Sequence, residues 1–142
     1  MSKILITKLG AACSIAIMFA QPVMAEGLYQ DFGEKAGLTK MVHEFIGVVA
    51  SDKRINNFFK DTDLVMLQEQ LVDQFCEATG GGCKYTGGDM KKIHSDMGVN
   101  TANFNALVED LQAAMTKQGI SSSTQNKLLA KLAPLQRDIV TK

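Results

Sequence analysis

His94 closes the stretch "FCEATGGGCKYTGGDMKKIH", residues 75–94. Five of the nine positions from 80 to 88 are glycine, and Met90 and Met97 lie about one helical turn to either side of the histidine. A neutral imidazole is a good ligand for iron in a planar macrocycle. Such a ligand needs a firm, short helix to aim it and apolar neighbours to shelter the metal. The glycines suit that design, because glycine lets the chain reverse sharply. A preceding helix that carries Leu67 and Leu71 can then cover one face of a flat molecule while His94 reaches the other. Spacing alone leaves a second reading open, in which His94 is a surface or capping residue of a short helix. His43, the other histidine, sits in an apolar helix and reads as a packed or boundary residue. Two distant histidines and the cysteines make no zinc signature. No phosphate loop, dinucleotide fingerprint or G-x-S-x-G serine is present.

The other candidate chemistry is the pair Cys76 and Cys83. It is neither C-x-x-C nor C-x-x-C-H, so a redox or metal role is disfavoured. A disulfide and two free thiols both remain open. The N-terminus bears on this choice. Lys3 and Lys8 precede an apolar run over residues 9–20, then Pro22 and "VMA". This is the pattern of a secretory signal cut after Ala25. The run is short of the ~20 residues that a membrane span needs, so no stable span is expected after cleavage. The expected organisation is a signal peptide over residues 1–25 and one domain over 26–142, periplasmic or secreted, where disulfides persist. The chain has 15 basic and 15 acidic residues, and the two lysines lost with the signal leave an acidic excess. That argues against nucleic acid as a partner, since phosphate neutralisation needs a basic surface.

The elements that must position these residues read as helices throughout. A short helix near residues 28–32 stops at Gly33, and the next begins near Leu38. In it Met41, Val42, Phe45, Ile46, Val48 and Val49 are apolar on most sides, as in a well-buried helix. Asp52 opens a short turn-like helix ending at Phe58 and Phe59. Asp63 caps a helix whose stripe Leu64, Leu67, Leu71, Phe75 and Ala78 is amphipathic. Asp89 caps a helix of about two turns carrying His94. A long helix runs from Thr101 to Gly119. Ser122 and Gln125 suggest a capping box for the last one, which Pro134 should kink. No segment alternates with period two, so the fold class is all-α.

The segments "FGEKAGL", "FIGVVASDKRINNFF" and "ATGGGCKYTGGDMKKIH", with the "GV…F" that follows, resemble the group I truncated haemoglobins. The resemblance covers nearly all of the chain after the signal. It implies a two-over-two helical sandwich around non-covalent haem b, with His94 as the proximal iron ligand. Phe59 matches a phenylalanine that packs on the porphyrin, and Tyr85 an aromatic position near the propionates. Phe45, Leu67, Phe75, Met90, Phe104, Leu107 and Ile139 fall at positions lining the haem cavity, and Lys84 or Lys91 are candidates to neutralise a propionate. The departures bear on function. Ile46 stands where relatives usually have tyrosine, and Leu71 where they often have glutamine. Both usual residues donate hydrogen bonds to bound oxygen, so a mostly apolar distal pocket of Ile46, Leu67 and Leu71 is expected. Gln70 is the one polar candidate there, with its amide either toward the iron or in solvent. Second-ligand histidine coordination, and a covalent haem link through a last-helix histidine, both lack their residue. The implied function is reversible binding of oxygen, carbon monoxide or nitric oxide, a ligand-binding role rather than an enzymatic one. The alternative is nitric oxide dioxygenation or weak peroxidase activity, which needs an unknown reductase.

Overall fold

A computed structural model describes residues 27–142; the expected signal peptide lies outside them. Among the described residues seven α-helices follow one another: α1 Leu28–Asp31, α2 Glu34–Ser51, α3 Leu64–Thr79, α4 Met90–His94, α5 Thr101–Lys117, α6 Ser122–Leu132 and α7 Gln136–Ile139. Short 3-10 turns over Asn56–Phe59 and Ala133–Leu135 interrupt the series. No described helix is long and apolar enough to cross a membrane. Among the described residues there is no strand.

The chain forms a two-over-two helical sandwich. Helix α2 packs against both α3 and α5, α6 packs against α3 and α5, and α4 leans on α7. Leu38, Met41, Val42, Phe45 and Val49 of α2 meet Val72, Phe75 and Cys76 of α3 and Leu111, Ala114 and Met115 of α5 in one buried core. Each Val, Leu, Phe or Met among them contributes roughly 1.5–3 kcal/mol by leaving water.

The ends of the helices follow local polar chemistry. Asp63 accepts from the N–H groups of Val65 and Met66 at 3.0 and 3.1 Å, starting α3. Asn100 and Asn103 bond each other's backbone N–H at 2.9 and 3.1 Å, a reciprocal cap that starts α5. Four expectations change. Helix α4 stops at His94 after five residues, short of the two turns expected. Helix α2 begins at Glu34, because Gly33 takes a left-handed conformation and turns the chain into it one turn early. The cap of α6 is Ser121, while Gln125 turns inward and donates to Thr116 Oγ1 at 3.1 Å and the Ile120 carbonyl at 2.9 Å. Pro134 divides the last helix rather than bending it, leaving a 3-10 turn and the short α7.

Two ties fix the loops. Cys76 and Cys83 form a disulfide, with Cα atoms 5.6 Å apart, joining the last turn of α3 to the glycine loop. A ring this small contributes ~2.5 kcal/mol through lost unfolded-state freedom. Arg54 ties the turn after α2 to α5: it pairs with Asp52 at 2.7 Å, Glu109 at 2.6 Å and Asp110 at 3.8 Å.

Asp110 is buried, and its Oδ2 has no hydrogen-bond partner. Burial, then the nearby charge of Asp52, pushes its pKa up, whereas hydrogen bonds from Arg54 hold that of Asp52 down. The two act oppositely on stability. The contribution of Asp52 is present above its unfolded value and fades as pH falls through the folded one. That of Asp110 is most favourable in acid and is lost as pH rises through its raised value. Asp110→Asn keeps the shape without the charge. Its melting temperature at pH 7 should exceed that of the parent by about 2–4 °C, with the gain shrinking toward pH 4. Thermal melts across that range measure this.

Candidate functional site

A cavity of about 610 Å³ opens between α3 and α4. Its apolar character comes from the helices' own patterning. Leu64, Leu67, Leu71 and Phe75, the apolar stripe of α3, form one wall. The residues of α3 that are buried outright are Val72, Phe75, Cys76 and Thr79. The leucine stripe thus faces the cavity, and the helix's core contacts lie a step around its circumference.

His94 of α4 lines the opposite wall, with Met90 and Ile93. Its Nδ1 lies 2.7 Å from the Met90 carbonyl oxygen. A carbonyl only accepts, so Nδ1 carries the proton and donates it, and Nε2 keeps its lone pair. That is the tautomer a metal-ligating histidine needs, with its ring oriented by the second nitrogen's bond. The bond runs from position i to i−4 of one helix, so α4 aims its own imidazole. Asp89 starts that helix by accepting from Lys92 N–H at 3.0 Å.

The ten side chains expected at the proximal ligand, porphyrin-packing and cavity-lining positions meet at this cavity: Phe45, Phe59, Leu67, Phe75, Tyr85, Met90, His94, Phe104, Leu107 and Ile139. So do the distal candidates Ile46, Leu67, Gln70 and Leu71. Gln70 Oε1 is buried and has no hydrogen-bond partner. A Cβ at Gly87 would strike both that oxygen and the Tyr85 hydroxyl, so glycine permits their close approach. The Tyr85 hydroxyl donates to the Gly88 carbonyl at 3.1 Å, and its backbone N–H donates to Glu77 at 3.3 Å. Burial pushes the Tyr85 phenol above its ordinary pKa, so it remains a neutral donor.

Other placements differ from expectation. Lys84 and Lys91 are exposed and stand off the cavity, and the lysine at its wall is Lys60. His43 is exposed on α2, with Nδ1 3.4 Å from Gln68 Oε1. Sequence reasoning missed Ile93, Gln74, Leu129, Leu132 and Leu135 as cavity residues. The last three carried an apolar signal, but that signal is the same for core and for cavity wall.

The arrangement suits a flat iron macrocycle. The volume falls within the range of small-molecule sites, about 300–1,000 Å³. Among the described residues no three His, Cys, Asp or Glu side chains form a metal cage. The donor on offer is one oriented imidazole in a hydrocarbon slot.

The family model for bacterial-like globins matches residues 27–141. The group 1 truncated hemoglobin of Mycolicibacterium paratuberculosis is 32% identical over 114 residues, covering 80% of this chain and 84% of that protein. The crystal structure of truncated hemoglobin from Tetrahymena pyriformis in its Fe(III) form superposes with a TM-score of 0.78 at 26% identity, covering 82% of this chain and all of that one. The 2/2 hemoglobin from Synechococcus, solved with covalently attached heme, shares the fold at a TM-score of 0.76 and 24% identity, covering 82% of this chain and 99% of that one. The helical sandwich, the slot between α3 and α4 and these likenesses agree: the chain belongs to the bacterial-like globins, among the group 1 truncated haemoglobins.

Proposed function

We propose that this globin binds a diatomic gas reversibly at haem b held by His94, in a distal pocket that offers little hydrogen bonding. The observation that carries the reading is the 2.7 Å bond from His94 Nδ1 to the Met90 carbonyl, which leaves Nε2 as the ligating nitrogen. Haem iron, when bound, supplies an open coordination position for the gas. The chain's residues do the rest. Phe59, Met90, Phe104 and Ile139 grip the macrocycle by apolar contact and keep water away. Lys60, at the cavity wall, is a cation suited to a propionate. The stretch from α6 to the C-terminus contains no histidine, which favours a non-covalent haem.

Ile46, Leu67 and Leu71 present only hydrocarbon on the distal side. Gln70 and Gln74 are the α3 amides at the cavity wall; Gln70 Oε1 packs against Gly87 of the loop, where a Cβ would strike it, and neither amide stands at the Ile46 or Leu71 position. A hydrogen bond to a partly charged acceptor is worth roughly 1.5–3 kcal/mol, so oxygen should leave about 10- to 100-fold faster than from a pocket containing a donor. Oxygen, carbon monoxide and nitric oxide all fit the slot, and carbon monoxide, being less polar when bound, suffers least from the missing donor. Nitric oxide dioxygenation needs oxygen held long enough to react and a reductase, so fast release favours a binding role. We also place the protein outside the cytoplasm. The N-terminal pattern and the Cys76–Cys83 disulfide support this, since such bonds persist in oxidising compartments.

Two experiments test the reading. Reconstituted protein should show a strong Soret band that His94→Ala loses while far-UV circular dichroism stays helical; a band retained by the variant removes His94 from the role. In laser photolysis, oxygen release should be fast, and Leu71→Gln should slow it about tenfold or more. Slow release by the parent protein would overturn the apolar-pocket account.

A further inference from the structure

Tyr85 stands between two spaces. With Met90, Leu132 and Leu135, it walls the cavity on one side and a surface groove of about 490 Å³ on the other. It belongs to residues 80–89, an irregular connection between α3 and α4 with five glycines. Such a segment has much conformational freedom, yet it must hold a ring still. Its hydrogen bonding is sparse. Among the described residues, the only bond from residues 82–88 to the rest of the protein is the Tyr85 N–H to Glu77 at 3.3 Å, on the exposed side. The Tyr85 hydroxyl bonds within the loop, to Gly88.

What remains is the disulfide. Cys76 is fully buried in the core at the end of α3, so Cys83 is fastened to a rigid body. Tyr85 is two residues beyond, within ~7 Å of that anchor by chain length alone. The loop is folded tightly over the sulfurs: a Cβ at Gly81 would collide with Cys76 Sγ and the Tyr29 ring.

We propose that the Cys76–Cys83 disulfide is a positioning clamp for Tyr85, closing the side of the haem cavity toward the groove, and that its reduction loosens the hold on haem. The proposal rests on the haem site assigned above. Opening the clamp requires an external dithiol. Its two S–H bonds break and its sulfurs join, and the two electrons and two protons convert Cys76 and Cys83 to thiols. Helix α3 and its core contacts remain, so the effect is confined to the loop.

Lys84, exposed between Cys83 and Tyr85, gives a readout independent of haem. Reduction of the full-length folded protein should speed tryptic cleavage after Lys84 by at least about fivefold while cleavage after Lys117 and Lys127 is unchanged. Transfer of ferric haem to an excess haem-free acceptor globin gives the second readout. Cys83→Ser and Tyr85→Ala should each accelerate transfer about fivefold or more. The double variant should be no faster than the faster single one, because both changes remove one device. A disulfide that only stabilises the whole fold would instead give additive effects and cleavage at all three lysines. That result, or cleavage after Lys84 indifferent to reduction, overturns the clamp. A chain that takes up no haem sinks the haem reading, while cleavage after Lys84 still decides whether the disulfide holds the loop.

Discussion

The bond from His94 Nδ1 to the carbonyl of Met90 organises this molecule's site. It lies within one short helix, so the imidazole's tautomer and ring plane depend on α4 forming. A five-residue helix has little stability of its own. Helix α4 therefore borrows order from both ends: Asp89 closes its first turn, and α7 packs along it. The backbone of Thr141 and Lys142 adds hydrogen bonds to the Val99 carbonyl at 2.8 and 3.2 Å, drawing the C-terminus under the same segment.

The opposite wall has the reverse problem. Helix α3 is long and well started, but its leucine stripe faces a space and not another helix. Its position is set by Val72 and Cys76 beside the leucines and Phe75 at the end of the stripe, which dock into the core with α2. The turn that brings Phe59 to the cavity is held separately, by Arg54 reaching from Asp52 to Glu109. The exposed partners contribute little individually. Their value is that one guanidinium ties three carboxylates on two elements.

Much of the fold was legible in the sequence because the polar punctuation is local. Asp63, Asp89 and Gly80 act on the turns beside them, and the helices began or ended near those marks. The errors were also local. Gly33 and Ser121 compete with neighbours of nearly equal capping ability, and only packing decides between them. The cavity's membership came chiefly through the register of a family resemblance, since hydrophobic spacing is blind to whether a leucine faces protein or a slot. Leu132 and Leu135 show this: their apolar spacing suits core as well as wall, and both stand at the wall. Lys60 could not have been picked from the lysines, because an exposed cation has no periodic signature. The disulfide was undecided for a similar reason: the spacing of Cys76 and Cys83 permits a bridge without requiring one.

The space between α3 and α4 has a consequence for how the protein comes to exist in its folded form. A gap of about 610 Å³ flanked by hydrocarbon forfeits the dispersion contacts that filling would restore. A molecule that fills such a slot in the folded chain and has no site on the unfolded one raises the folded population by mass action.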